Sequence, residues 1–408
     1  MTHPTLAEFD AAAAFLNGVI AATPVDQSDH LTALLGHPVY LKLENLQRTG
    51  SFKIRGAAYR LSRLTEEERA RGVVAASAGN HAQGVALAAQ KLGIPATIFM
   101  PLGVPVPKLL ATRGYGADVV LEGETFETPM RLATEFAART GAVLIHPFDH
   151  RDVMIGQGTL GLELFDAVPD VETVVVGVGG GGLLAGVAAA VKARAAAAGR
   201  TVRVIGVQAE NSAAYPPSLA AGEPVTVDTI PTIADGIAVA RPGDEPFAVI
   251  KDLVDDIVTV TDDDIARALL VLLERAKQVV EPAGAVGVAA ILAGKVAAAG
   301  PTVAILSGGN IDPLLLQRVV AHGLAASGRY MTIQIPLPDR PGQLARVSEL
   351  LAVAGANVIE ALHTRHGQGM QISEVILQLS VETRGEEHRA RTIEILEDAG
   401  FHPRVMPD

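Results

Sequence analysis

The chain of 408 residues has no cysteine. That excludes disulfides, thiolate nucleophiles and cysteine-ligated zinc, and it fits a reducing compartment. Basic residues are in the minority, with 33 Lys and Arg against 45 Asp and Glu, a formal charge of -12. Neither that balance nor any basic stripe offers a phosphate backbone a footprint, so no nucleic-acid partner is expected. Long apolar runs are missing too: the longest uncharged stretch, residues 173–191, is broken up by glycines, so no continuous apolar run of the ~18 residues of a membrane span appears. The opening stretch MTHPTLAEFDAAAAFLNGVIAATP carries Glu8 and Asp10 and no basic lead, so it reads as an amphipathic helix and not as a signal peptide. A soluble, cytoplasmic protein is expected.

What the chain has in quantity is apolar sequence: 49% of residues are hydrophobic and 19% charged. A well-buried globular protein follows, and the length suggests two or three compact units. Short β-branched runs (GVVAAS, PATIFM, ADVVLEG, AVLIHP, TVVVGVG, VRVIGVQ and, later, PTVAILSGGN) alternate with alanine-rich stretches long enough for helices. This rhythm predicts βαβ units and a largely parallel sheet, an α/β fold buried on both faces. Near residue 328 the grammar changes. A strand, a proline-bracketed turn and a helix with Leu344, Val347, Leu350 and Leu351 on one face lead to Gly355 as a helix stop. Two strands (NVIEALHTR and MQISEVILQLSVE), a charged helix around 385 to 399 and FHPRVM complete a βαββαβ order, the ferredoxin-like arrangement. Residues 1–325 are read as one domain, with a small subdomain inserted at about 50–150, and residues 329–408 as a second.

Four segments carry chemistry. In VVVGVGGGGLLAG a strand runs into Gly177, Gly179, Gly180, Gly181 and Gly182 and then into a helix, so bare amides and a helix N-terminus converge where an anion could sit. The same letters satisfy G-x-G-x-x-G, with Glu210 at the end of the next strand, and a nicotinamide-dinucleotide site stays open as an alternative. Against it, the acid stands 33 residues after Gly177, where a dinucleotide site places it roughly 20 on. A third possibility is a tight turn without a ligand. The stretch AASAGNHAQG sets Ser77, Ala78, Gly79, Asn80 and His81 between a strand and a helix; a carboxylate could rest on their amides, or Ser and Asn could be plain helix caps. LSGGN places Ser307 at the C-terminal end of a strand. TGSFKIRGA sets Lys53 behind a Ser-Phe pair in a chain with only 4% aromatic residues. A lysine amine, a glycine phosphate cradle, an asparagine and a neutral serine hydroxyl together describe a pocket for pyridoxal 5'-phosphate, whose aldehyde needs a neutral amine.

On these motifs the chain resembles the fold-type II pyridoxal-phosphate enzymes, with a tryptophan-synthase-β-like catalytic domain, and within them the threonine ammonia-lyases (threonine dehydratases). The likeness runs through YLKLENLQRTGSFKIRGA, ASAGNHAQGVA, IHPFDHRDVMIGQGTLGLE, VGGGGLLAG, TIADGIAV, EPAGA and SGGNID, and PDRPGQLARVSELLAVAGANV resembles an ACT regulatory domain. The resemblance implies that Lys53 holds the cofactor and takes the substrate α-proton. Phe52 would pack beside the ring, Asn80 would bond its hydroxyl, Gly179 to Gly182 would hold the phosphate, Gly236 would line the ring and Ser307 would face its nitrogen. The segment Ser77 to His81 would hold the substrate carboxylate. The reaction implied is conversion of L-threonine to 2-oxobutanoate and ammonia, and of L-serine to pyruvate, as in isoleucine biosynthesis. Serine racemases carry Ser-Ser-Gly-Asn-His at this loop; Ala78 replaces the second serine, which favours elimination over racemisation, with a serine racemase or serine dehydratase activity as the alternative. Relatives also place a cation near QAENSAAYP, which would put a monovalent ion, if any, at Glu210 and the Ala214 carbonyl, since Pro216 stands where a divalent site has aspartate. Glu281 is left open between the site and a structural role. An amino-acid effector would bind around Asp339, Gly342, Gln343, Leu344 and Asn357, and a homodimer or homotetramer is expected. A non-catalytic amino-acid sensor is the third reading, and the intact Lys53 argues against it. His363 and His366 end a strand and read as surface residues.

Overall fold

The computed structural model describes residues 2–125, 127–326, 328–365 and 374–406. They divide into two compact units, Met1–Asp312 and Pro313–Asp408.

Along the first unit the strands are β1 (Val25–Gln27), β2 (Val39–Lys42), β3 (Val73–Ala76), β4 (Ala96–Met100), β5 (Asp118–Leu121), β6 (Val143–Leu144), β7 (Thr173–Gly177), β8 (Arg203–Ala209), β9 (Asp256–Val260) and β10 (Thr302–Ile305). They form two sheets. One is parallel throughout, in the order β5-β4-β3-β6. The other has the order β1-β2-β10-β7-β8-β9, with only β1 antiparallel. The seven β-branched runs noted above all fall on strands, and their apolar continuity has a physical cause. Every residue of β3 and β7 is buried, as expected when helices cover both faces of a parallel sheet.

The helices Arg151–Ala167 and Gly182–Ala197 are correspondingly apolar around most of their circumference. They approach closely because glycines stand at the crossing: a Cβ on Gly158 would lie 2.6 Å from the Gly186 carbonyl oxygen. The N-terminal helix Leu6–Leu16 opens on a capping box between Thr5 and Glu8 and buries Phe9, Ala12 and Leu16. Three strand ends matter for function. β3 runs into Ser77, β7 into the glycine run and β10 into Ser307, all at carboxyl ends, where open α/β sheets bind their ligands.

In the second unit a helix Pro313–Ala326 precedes β11 (Tyr330–Pro338), a helix Gln343–Ala354, β12 (Asn357–Thr364), β13 (Glu374–Glu382), a helix Glu386–Asp398 and β14 (Arg404–Val405). The sheet order is β12-β13-β11-β14, antiparallel throughout, the ferredoxin-like arrangement. Met331, Ile333, Ile335 and Leu337 on β11 and Val375, Leu377, Leu379 and Val381 on β13 alternate inward and meet Val347 and Leu351. Leu344 departs from the expected face. It is 45% exposed, because it lies in the first turn of its helix, ahead of the residues packed on the sheet. Gly355 ends that helix at φ 74°. His363 is exposed on β12, and His366 lies outside the described residues. Among the described residues no helix is long and apolar enough to cross a membrane.

Candidate active site

Lys53 opens the helix Lys53–Ser62, and two contacts fix where that helix begins. The Phe52 amide donates to the Ser307 carbonyl at 3.1 Å, and Ser51 bridges to Gly308, so the lysine segment is stitched to the extension of β10. The lysine Nζ donates to the Pro147 carbonyl at 2.9 Å and stands 5.2 Å from the centre of the Phe52 ring. Burial draws the ammonium down to about 8, against the opposing pull of the Glu281 charge. A neutral amine is thus within reach near neutral pH.

The anchor of the helix lies two residues further on. Arg55 is fully buried; its Nε and Nη2 donate to Glu44 at 2.8 Å, and its Nη1 and Nη2 donate to Glu163 at 2.6 and 2.9 Å. Lys42, itself 1% exposed, donates to Glu163 at 2.6 Å and to the Thr23 carbonyl. Burial disfavours the guanidinium charge, and the two carboxylates more than compensate, raising its pKa.

Asn80, at the start of the helix Asn80–Leu92, donates to Glu281 at 2.6 Å and accepts from Asn310 at 2.8 Å. Glu281 belongs to the site and not merely to the core. Its backbone amide donates to the Gly308 carbonyl at 3.0 Å, and a Cβ on Gly236 would stand 4.0 Å from its Oε1. Burial pushes its carboxyl up to about 7; Lys108, Asn80 and Lys53 partly offset the burial and Asp235 adds to it. Asn80, Glu281, Gly236, Ser307 and Lys53 are thereby gathered on one side of the site.

The glycine run packs against Ile237, the neighbour of Gly236. Gly181 has φ +105°, a left-handed conformation suited to glycine, and begins the helix Gly182–Ala197. A Cβ on Gly179 would lie 2.9 Å from the Ile237 Cα, one on Gly180 would strike the Phe148 ring, and one on Gly182 would lie 2.9 Å from the Phe148 carbonyl. Bare backbone is therefore required. The Gly180 carbonyl is satisfied by the Gly243 amide and the Tyr215 hydroxyl. Among the described residues, the amides of Gly179, Gly180 and Gly181 meet no backbone or side-chain acceptor. Three free donors beside a helix N-terminus make an anion cradle.

Not every expected side chain faces this space. His81 is buried, and its Nε2 donates to the Ile145 carbonyl at 2.8 Å. Burial draws the imidazole down to about 3, so it is neutral, with its Nε2 committed to Ile145. Ser77 accepts from the Gly79 amide at 3.1 Å, and Ala78 is half-buried. Glu210 is exposed at the end of β8, and the Ala214 carbonyl accepts from the Ser218 hydroxyl at 2.6 Å. No cluster of three or more His, Asp or Glu suited to a metal occurs among the described residues. In the second unit, Asp339 pairs with Arg365 at 3.4 Å, and Gly342, at φ +94°, begins the helix carrying Gln343 and Leu344. Asn357 opens β12, exposed. Phe148, Asn310 and Lys108 were not identified from the sequence as site residues. Phe148 sat inside a quoted motif, but nothing local signalled its contact with a glycine 32 residues on, counting from 148 to 180.

The family model described as pyridoxal-phosphate dependent enzyme matches residues 16–308. The L-threonine ammonia-lyase of Thermotoga maritima is 47% identical over 403 residues, 98% of this chain and 99% of that protein. Among solved structures, the processed form of threonine deaminase isoform 2 from Solanum lycopersicum is 38% identical with a TM-score of 0.73, over 78% of this chain and 93% of that one. Maize serine racemase is 35% identical with a TM-score of 0.74, over 80% and 99%.

Proposed function

Because the chain belongs to the family of pyridoxal-phosphate dependent enzymes, we infer that it deaminates L-threonine to 2-oxobutanoate and ammonia, and L-serine to pyruvate. The observation that carries this is likeness to an L-threonine ammonia-lyase over nearly the whole of both chains. The residues fit the cofactor. Three free amides next to a helix N-terminus suit its phosphate, and a lysine with its pKa drawn down to about 8 suits its aldehyde. Lys53 would hold it, with Phe52 beside the ring, Asn80 on its hydroxyl, Gly179 to Gly182 on the phosphate, Gly236 along the ring and Ser307 at its nitrogen. When bound, the cofactor supplies an electron sink for the pair left at the substrate α-carbon.

The remaining work falls to the protein. Lys53 Nζ takes the α-proton, and the β-hydroxyl leaves with it as water. The enamine set free tautomerises and takes up one water, giving the 2-oxo acid and ammonia. Ser307 would present a hydroxyl and no carboxylate to the ring nitrogen and so would not hold it protonated, which favours loss of the β-hydroxyl over reactions that need a stronger electron sink. Racemisation is the second reading, favoured by the fold of maize serine racemase. It needs a proton donor on the face opposite Lys53, and Ala78 offers none. The decisive test is optical: the purified protein supplied with the cofactor should show a visible band that borohydride bleaches and that Lys53→Ala lacks. A nicotinamide enzyme would show neither.

We assign this reaction to the first unit and regulation to the second. A free amino acid needs charges of both signs and an apolar contact. The Asp339–Arg365 pair and the exposed Leu344 provide them beside Gly342 and Gln343, whereas Asn357 stands at the other end of β12, level with Tyr330. We infer a cytoplasmic homodimer or homotetramer, a reading supported by the cysteine-free chain, which fits a reducing compartment.

A further inference from the structure

We propose that Lys108 is the cation that receives the substrate carboxylate, releasing Asp235 as it does so; this rests on the reading of the substrate as an α-amino acid. Lys108 lies on the helix Val106–Gly114, between β4 and β5. Its Nζ is 3.8 Å from the point where a Cβ would stand on Gly79, so the ammonium rests against the loop assigned to the carboxylate. On its other side it is 3.9 Å from Asp235 Oδ2. Asp235 adjoins Gly236, Gly236 faces Glu281, and Glu281 holds Asn80, the neighbour of Gly79. Lys108 therefore closes a ring of groups around the mouth of the site.

Three features separate this lysine from an ordinary surface ion pair. Its side chain is 17% exposed while that of Asp235 is 74% exposed, so the carboxylate is the loosely held partner and the ammonium the sheltered one. A contact of 3.9 Å is at the outer limit of an ion pair and leaves room for a better ligand. Among the charges acting on Glu281, that of Lys108 is the largest, ahead of Lys53. The loop also needs help: the Gly79 amide is spent on Ser77 Oγ and is one donor fewer for a carboxylate. Lys53 is engaged by the cofactor, and Arg55 is locked between Glu44 and Glu163.

The test compares Lys108→Gln with Asp235→Asn in steady-state threonine deamination. Lys108→Gln should raise KM for L-threonine roughly 10- to 100-fold, the value of one charge-assisted hydrogen bond, with a much smaller change in kcat. Lys108→Arg should recover part of the loss. Asp235→Asn removes the competing carboxylate and should leave KM at or below the wild-type value. If the two residues merely latch one another, both variants break the same pair and raise KM alike; that result, or an unchanged KM in Lys108→Gln, overturns the proposal. The visible cofactor band of Lys108→Gln, expected intact, separates this from loss of the cofactor site. Should the wild-type protein not turn over threonine, it is the reading of the reaction that fails. Equilibrium binding of L-threonine, which Lys108→Gln must weaken by the same factor, then decides the proposal.

Discussion

Replacing Arg55 by methionine probes the foundation on which Lys53 stands. The substitution keeps the length of the side chain but removes the cation from between Glu44 and Glu163. Glu163 retains Lys42 at 2.6 Å; Glu44, fully buried, retains the Thr23 hydroxyl and, among the described residues, no second cation. Stripping one partner from a buried pair costs about 3–5 kcal/mol. At about 2 °C per kcal/mol for a unit of this size, the melting temperature should fall by about 6–10 °C. The pH dependence carries a sign. In the wild-type protein Glu163 is buried, yet Arg55 and Lys42 hold its carboxyl below the ordinary range. That stabilisation is present above the unfolded pKa of about 4.3 and is lost as pH falls through the folded value. The variant forfeits most of this stabilisation, so the gap in melting temperature should be wider near pH 6 than near pH 3. Calorimetric melts of both proteins at both pH values measure it. A gap below about 1 °C, or one that widens on acidification, would refute the argument that this network anchors the helix.

Further outcomes follow from the site. Gly180→Val drives a side chain into the Phe148 ring and distorts the amide cradle, so affinity for the cofactor, titrated by its visible band, should fall at least about 10-fold; unchanged affinity would contradict the cradle. Capture of the cofactor by the stripped protein needs the neutral Lys53 amine, so its rate should rise with pH through about 8 and level off above; a rate flat or falling over that range counts against the depressed pKa. Ala78→Ser adds a hydroxyl beside Gly79 and should produce D-serine from L-serine, read by chiral chromatography, where the parent yields almost none. Asp339→Asn, tested in threonine kinetics with isoleucine or valine, should weaken the response to the effector and leave the rate without effector unchanged.

Much of this was legible in the chain. Apolar β-branched runs announced the parallel strands, because buried parallel sheets cannot alternate polar and apolar residues. The change of rhythm near residue 328 announced the second fold. The glycine run stood out because it serves a need local to its own segment, a bare backbone, and Lys53 stood out once that run, Asn80 and Ser307 were set beside it. What stayed hidden depends on contacts across the fold. Glu281 meets Asn80 only because β10 carries Gly308 between them, and Lys108 reaches Gly79 from a helix whose own sequence shows no sign of it. Arg55 reads as one more basic residue until Glu44 and Glu163 close on it. His81 looked available in AGNH, yet its ring turns away to Ile145. Leu344 fits the helical period and is still exposed, since periodicity gives a direction and not how far the sheet extends beneath it.

The measurement that bears most directly on the whole account is the release of 2-oxobutanoate from L-threonine by the full-length protein and its Lys53→Ala variant, each supplied with pyridoxal 5'-phosphate. The account predicts steady release, matched mole for mole by ammonia, from the first, and a rate lower by at least about 1,000-fold from the second. Equal rates from the two proteins, or no 2-oxobutanoate from the wild type, would contradict it.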